Sequence, residues 1–271
     1  MISFPNAKIN LGLSVLSKRS DGFHELETIF YPIRLKDGLE IIGGNKEHKE
    51  VAFSTSGIEI NGDSSQNICL KAYQLLKNDF PRLPSIQMHL HKAIPIGAGL
   101  GGGSADGAFT LLLSNEKFNL QLSEEQLLQY ALKLGSDCAF FIINKPCHAK
   151  GRGEILEQLE LNLDDYKIVV VYPNIHINTG WAFSQLQNFT SADTLKEIIE
   201  KPVQQWRDLL KNDFEEVVFA KFPAIKQIKD QLYNAGAIYA SMSGSGSTVY
   251  GLFSSAPSLT ALSQEYFIRT V

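Results

Sequence analysis

Five of the chain's 21 glycines fall within eleven residues, Pro95-Ile96-Gly97-Ala98-Gly99-Leu100-Gly101-Gly102-Gly103-Ser104-Ala105. A segment that alternates Ile86, Met88 and Leu90 with polar residues enters this loop, and a helical pattern over 105–118 leaves it. A strand, a glycine loop and a helix together make an anion-binding arrangement. The backbone N–H groups and the positive end of the helix dipole point at the ligand, and glycine lets the backbone come close. Two nucleotide motifs fit the glycine spacing in part. Gly97-x-Gly99-x-x-Gly102 has the dinucleotide-binding form, but a second helix follows where that fold needs a strand ending in an acid. Gly97 to Gly102 also has the Walker A spacing, but Gly103 stands where the lysine belongs and only Ser104 matches. What remains is a loop that holds phosphate with backbone N–H groups and Ser104, and that must find positive charge elsewhere.

Four other places carry side chains able to do chemistry. Lys8 and Asn10 are two apart in an alternating segment, so they share its polar face. His24 lies in the return strand of the same hairpin. Asp137 follows Gly135 at the end of a helix; alone, it reads as a surface turn residue. Ser243-Gly244-Ser245-Gly246-Ser247 is a second flexible loop, readable as a hairpin connection.

The elements that must position these groups can be read in outline. Segment 8–16, with Ile9, Leu11, Leu13 and Val15 alternating, predicts a half-buried strand, and 24–33 the return strand. In a flat hairpin His24 would lie near Leu16, eight residues from Lys8, which is about 27 Å at about 3.4 Å per residue. One small substrate cannot span that, so the hairpin is expected to curl around an extended one. Further strands are predicted at 38–43, 50–55, 85–94, 167–173, 237–240, 248–253 and 267–271, and another at 138–143 from the apolar run Cys-Ala-Phe-Phe-Ile-Ile. Helices are predicted at 67–80, 105–118, 123–135, within 192–218, at 223–235 and near 257–266. Ser123 and Gln126 form a capping box, and Gly135 is the stop. The fold class is α+β, in two lobes, residues 1–160 and 161–271, with 161–166 as the linker.

Composition narrows the function. The chain has 271 residues, 44% hydrophobic and 20% charged, which suits a soluble globular protein. A net charge of −4 and a pI near 5.9 argue against nucleic acid as partner. No apolar run is long enough to span a membrane. Cys69, Cys138 and Cys147 are odd in number and widely spaced, which suits a reducing, cytoplasmic setting.

Several stretches together resemble the galactokinase, homoserine kinase, mevalonate kinase and phosphomevalonate kinase (GHMP) superfamily. They are 6–30 (NAKINLGLSVLSKRSDGFHELETIF), 95–108 (PIGAGLGGGSADGA), 134–141 (LGSDCAFF), 151–156 (GRGEIL) and 243–253 (SGSGSTVYGLF). The first, AKINL followed by R-x-D-G-F-H, is most similar to the 4-diphosphocytidyl-2-C-methyl-D-erythritol kinase branch.

The resemblance implies a ribosomal-protein-S5-like N-terminal lobe, a ferredoxin-like C-terminal lobe and an active site in the cleft between them. It implies ATP and Mg2+ as cofactors and transfer of the γ-phosphoryl group to the 2-hydroxyl of a small cytidylyl-erythritol substrate, by a monomer or weak homodimer. Residues 95–105 would bind ATP, with Ser104 also at the metal, and Asn67 and Lys92 would lie near adenine. Lys8 and Asp137 would be catalytic, Asp137 as general base. Asn10, Phe23, His24, Thr179 and Phe183 would bind substrate, His24 reading the base between aromatic rings. Phe23 replaces the family's tyrosine, and Thr179 lies in INTGWAF rather than beside proline. Two other readings remain: a superfamily relative acting on mevalonate, homoserine or a sugar, and a ligand-binding relative without catalysis.

Overall fold

The computed structural model describes residues 1–44, 51–186, 189 and 195–271. The strands are β1 (Ile2–Ser3), β2 (Asn6–Lys18), β3 (His24–Lys36), β4 (Gly38–Gly43), β5 (Val51–Gly57), β6 (Ile86–Lys92), β7 (Cys147–Gly151), β8 (Ile155–Gln158), β9 (Lys167–Tyr172), β10 (Tyr239–Met242), β11 (Val249–Phe253) and β12 (Phe267–Thr270). The helices are α1 (Ile68–Asp79), α2 (Gly102–Lys117), α3 (Glu124–Leu134), α4 (Ser136–Ile143), α5 (Thr179–Gln185), α6 (Leu195–Ile199), α7 (Trp206–Leu209), α8 (Phe214–Lys221) and α9 (Pro223–Asn234). The chain groups into two compact units. One holds Met1–Ala7, Arg34–Ile96 and Gly101–Lys145, the other Lys8–Ile33, Gly97–Leu100 and Pro146–Val271.

In the first unit the sheet order is β1-β4-β6-β5, with β5 and β6 parallel and the other pairs antiparallel. Alternation in β6 is as the sequence reads: Ile86, Met88 and Leu90 are buried, whereas Gln87 and His91 are exposed. Helix α2 packs against β1 and β4, and α1, α3 and α4 pack with it. The Ser123–Gln126 capping box is formed. The run 138–143 is not a strand but most of α4. Six apolar residues fit a buried helix as well as a buried strand, and periodicity cannot separate them. The segment 138–142 is buried on all sides, so it shows no polar stripe to reveal its period.

The second unit holds two sheets, β2-β3-β7-β8 and β10-β11-β9-β12. Helix α9 packs on β10 and β11, and Val169, Val171, Phe214, Ile225, Ile228 and Leu232 form part of its core. The segment 257–266 forms turns rather than a helix, and residues 192–194 of the predicted helical stretch lie outside the described residues. Strand β2 departs from the half-buried expectation, since Asn6 to Val15 are buried on both faces. Its polar face is covered by the glycine loop and by the 243–248 loop, not by water. Gly12 interrupts the pleat with φ +70°. Beyond it, Leu13 exchanges backbone hydrogen bonds with Lys211 and Asp213.

Candidate active site

The glycine loop ends in a helix whose N-terminus is left open. Gly101 caps α2 in the left-handed region, at φ +70°, with no side-chain cap, and the first turn carries no acidic residue. Helix α1, by contrast, is closed by Asn67, whose Oδ1 accepts from the Cys69 N–H at 2.9 Å. An uncapped N-terminus keeps unsatisfied N–H donors and a partial positive charge, which suits an anion. A Cβ on Gly102 would press on Ile94, while one on Gly103 would meet nothing within 4 Å. Gly103 therefore faces open space, and Gly102 rests on the core.

Beneath this helix end lies a buried charge cluster. Lys92 Nζ donates to Asp37 at 2.5 Å and to Asp106 at 2.8 Å. Asp37 Oδ1 also accepts the N–H groups of Ala93 and Ile94, at 2.6 and 2.9 Å. The cluster thus ties the end of β6 to the second turn of α2. Burial works against the Lys92 ammonium, but the two carboxylates outweigh it and raise its pKa. Burial pushes the Asp106 carboxyl well above the usual carboxylate range, and the nearby Asp37 adds to the push. The ammonium and the two carboxyl groups thus form one buried, mutually dependent cluster.

Asp137 sits half-buried in the first turn of α4, where the helix dipole attracts a carboxylate. Helix α4 packs on α2, the helix that continues the glycine loop. Burial holds all three cysteine thiols above their ordinary pKa, so they behave as packing groups. Asn67 lines a cavity of about 320 Å³ with Phe53, Thr55, Ile60 and Asn61. Lys92 does not line it.

In the second unit the loop's other half meets the catalytic candidates on β2. Lys8 Nζ donates to Asn10 Oδ1 at 2.6 Å and to the Gly99 carbonyl at 3.2 Å. The Lys8 N–H donates to the Leu100 carbonyl, and the ammonium lies 5.0 Å from the centre of the Phe30 ring. Ser243, in the connection between β10 and β11, donates its hydroxyl to Gly99 O at 2.8 Å, and the Thr248 N–H donates to Ala98 O. The second flexible loop is thus both a hairpin connection and a clamp on the first. Gly99 has φ +80°, and a Cβ there would collide with the Ser243 carbonyl oxygen. Only glycine fits that position.

The aromatic candidates also meet. His24 stacks on Phe183, with ring centres 4.5 Å apart and planes 16° from parallel. Phe183 in turn packs edge-on against Phe214. A third ring between His24 and Phe183 would need about 7 Å, two van der Waals contacts, so a base can take the face of Phe183 only if His24 turns aside. Phe23 is 54% exposed, with the Arg152 guanidinium over its ring. Burial and the charge of Lys18 lower the pKa of His24, keeping its imidazole neutral. Thr179 Oγ1 lies 3.0 Å from Ser245 Oγ, in the second loop.

Residues 67–145 match the GHMP kinases N terminal domain, and residues 194–266 match GHMP kinases C terminal. The chain belongs to the GHMP kinase family. Among its relatives in the family, a 4-diphosphocytidyl-2-C-methyl-D-erythritol kinase of Bacteroides fragilis (strain YCH46) is 52% identical over 98% of this chain and 96% of that protein. One of Cytophaga hutchinsonii is 50% identical over 95% and 94%. A crystal structure of 4-(cytidine 5'-diphospho)-2C-methyl-D-erythritol kinase matches with a TM-score of 0.80 at 30% identity, over 93% of this chain and 90% of that one. A mevalonate kinase structure matches at 0.71 but 14% identity, over 100% and 98% of the chains, which is a likeness of fold alone. Sequence reasoning missed Asp37 and Asp106, the carboxyl partners of Lys92 beneath the glycine loop. Asp106 had one usable signal: it is an acid among Gly, Ser and Ala in the turn after the phosphate loop.

Proposed function

We propose that the chain transfers the γ-phosphoryl group of ATP to the 2-hydroxyl of 4-diphosphocytidyl-2-C-methyl-D-erythritol. The observation that carries this reading is the Lys8 ammonium, buried and hydrogen-bonded to the Gly99 carbonyl inside the glycine loop. Phosphoryl transfer is chiefly positioning and charge stabilisation, and this contact fixes a cation to the loop that holds the phosphates. Relatives about half identical over nearly the whole chain carry the same activity in their names.

The open N-terminus of α2 takes the triphosphate. Among the described residues no group of three or more His, Cys, Asp or Glu side chains could hold a metal ion. Mg2+ takes one or two protein ligands and completes its shell with substrate phosphates and water. Ser104 would be its hydroxyl ligand, and the ion would neutralise phosphate charge. Asp137 accepts the proton of the 2-hydroxyl as that oxygen attacks. The cavity beside Asn67 takes the adenine, and Lys92 acts from below as a strut. His24 turns from Phe183 to hydrogen-bond the cytosine edge while Phe183 and Phe23 stack on its faces; Asn10 and Thr179 complete the substrate contacts. We place the enzyme in the cytoplasm, where its three free, buried thiols would stay reduced, and expect a monomer or weak homodimer. The test is ADP release from Mg-ATP with the cytidylyl erythritol acceptor against mevalonate and homoserine. Turnover only with the first supports the proposal; turnover with another acceptor overturns it.

A further inference from the structure

The side chain of Asn10 presents a choice that its shape does not make. Its amide oxygen and nitrogen are the same size, and only hydrogen-bond polarity decides which end faces Lys8. The backbone of Asn10 is already fixed: its N–H donates to Ser243 Oγ at 3.2 Å, and its carbonyl accepts from the Tyr250 hydroxyl at 2.7 Å. What remains to be set is the amide flip.

Thr28 sets it. Its hydroxyl donates to the Gly12 carbonyl at 2.6 Å. A hydroxyl has one proton, so on its other side Thr28 Oγ1 is an acceptor, and Asn10 Nδ2 donates to it at 2.9 Å. Asn10 Oδ1 is thereby turned to Lys8 Nζ, 2.6 Å away. The order of donors and acceptors runs in one direction, from the ammonium to the Gly12 carbonyl. Gly12 has φ +70° at this point of β2. Lys8, Asn10 and Thr28 are 4%, 3% and 1% exposed, so water does not compete for these bonds. Thr28 itself is fixed by the β3–β7 ladder, opposite Ala149.

We infer that Thr28 is a positioning residue for phosphoryl transfer: it fixes the flip of Asn10 and, through it, the place of the Lys8 ammonium. The inference rests on the proposed role of Lys8 at the acceptor end. Without the hydroxyl, the Asn10 NH2 is left buried without its acceptor, and the amide can swing off the Lys8 ammonium to find another.

The experiment compares Thr28→Val, Thr28→Ala and Thr28→Ser with wild type, on whichever acceptor the wild-type protein phosphorylates. Misplacing a catalytic group by about 1 Å costs on the order of 100-fold, so Val and Ala should each lower kcat roughly 10- to 100-fold, with the ATP KM unchanged. Ser should restore kcat. Because Thr28 acts through Asn10, the Thr28→Val/Asn10→Ala pair should be no slower than Asn10→Ala alone. The side-chain amide resonances of Asn10 give a readout that needs no turnover. They should shift and exchange faster in the Val and Ala variants and return to wild type in Ser. Wild-type kcat in Val or Ala, multiplicative loss in the pair, failure of Ser to rescue, or unmoved Asn10 resonances would each overturn the assignment. A wild-type protein inactive on the cytidylyl acceptor overturns the functional reading instead, and the resonances still decide the role of Thr28.

Discussion

Gly103→Ala separates binding from folding at the phosphate loop. Gly103 is the second residue of α2, exposed, without a positive φ, and a Cβ there meets nothing within 4 Å. Alanine should therefore fit the protein. Replacing glycine inside a helix should stabilise the fold by about 0.5–1 kcal/mol, which raises Tm by roughly 1–4 °C in a chain of this size. The open space is where the triphosphate must approach the α2 N–H groups. A methyl group there holds the anion off at least one charge-assisted hydrogen bond, worth about 1.5–3 kcal/mol. That is roughly a 10- to 150-fold rise in the Kd for ATP. Calorimetric titration with Mg-ATP and a thermal melt, on the same sample, measure both quantities. A variant that binds ATP normally would show that the phosphates do not lie over the α2 N-terminus. A destabilised variant would show that the space around Gly103 is not open.

Gly99→Ala should do the opposite: the left-handed backbone and the collision with Ser243 together cost about 2–5 kcal/mol, read as a lower Tm before any nucleotide is added. Asp137→Ala should lower kcat about 100- to 10,000-fold, as loss of a general base does, while titrated ATP still binds. The lowered pKa of His24 predicts that KM for the cytidylyl substrate is flat near neutrality and rises as the pH falls below it, with the KM for ATP unmoved; His24→Asn should abolish that dependence. In the buried cluster, Asp37→Asn should cost about 3–5 kcal/mol because it breaks the Lys92 ion pair and disturbs the acceptor of the Ala93 and Ile94 N–H groups, whereas Asp106→Asn, at a carboxyl whose pKa burial already raises, should cost less. Since Asp106 has a raised folded pKa, its contribution is full at low pH and is lost as pH climbs from the ordinary carboxylate range toward that raised value. The stability advantage of wild type over Asp106→Asn should therefore shrink between about pH 4 and about pH 8.

The sequence carried most of what is local. Alternation placed β2, β3 and β6, and the helical spacing and caps placed α1 and α3 within a residue or two of their ends. The glycine loop was recognisable because backbone approach to an anion leaves a compositional trace. Lys8 and Asn10 were assigned to one face by period two, and the structure joins them at 2.6 Å. The failures have a common physical origin. At 138–143 and along the polar face of β2, tertiary packing buries what a period-based reading leaves exposed or ambiguous. The segment 257–266, predicted as a helix, forms turns instead.

The groups that the sequence could not show are those whose role exists only across long chain separations. Lys92 and Asp37 are 55 residues apart, and Thr28 reaches Asn10 across 18. Nothing near Asp37 marks it as a ligand of two backbone N–H groups and an ammonium, and a threonine in a strand is unremarkable. Their chemistry comes from burial. In water each would be solvated and replaceable; in a dry interior each polar atom must have a partner of opposite polarity, and one choice fixes the next. The Gly12 carbonyl fixes the direction of the Thr28 hydroxyl, which fixes the Asn10 amide, which fixes Lys8. Motifs reveal the residues that a ligand touches directly. The residues that orient them are found by following donors and acceptors inward until each has one consistent assignment.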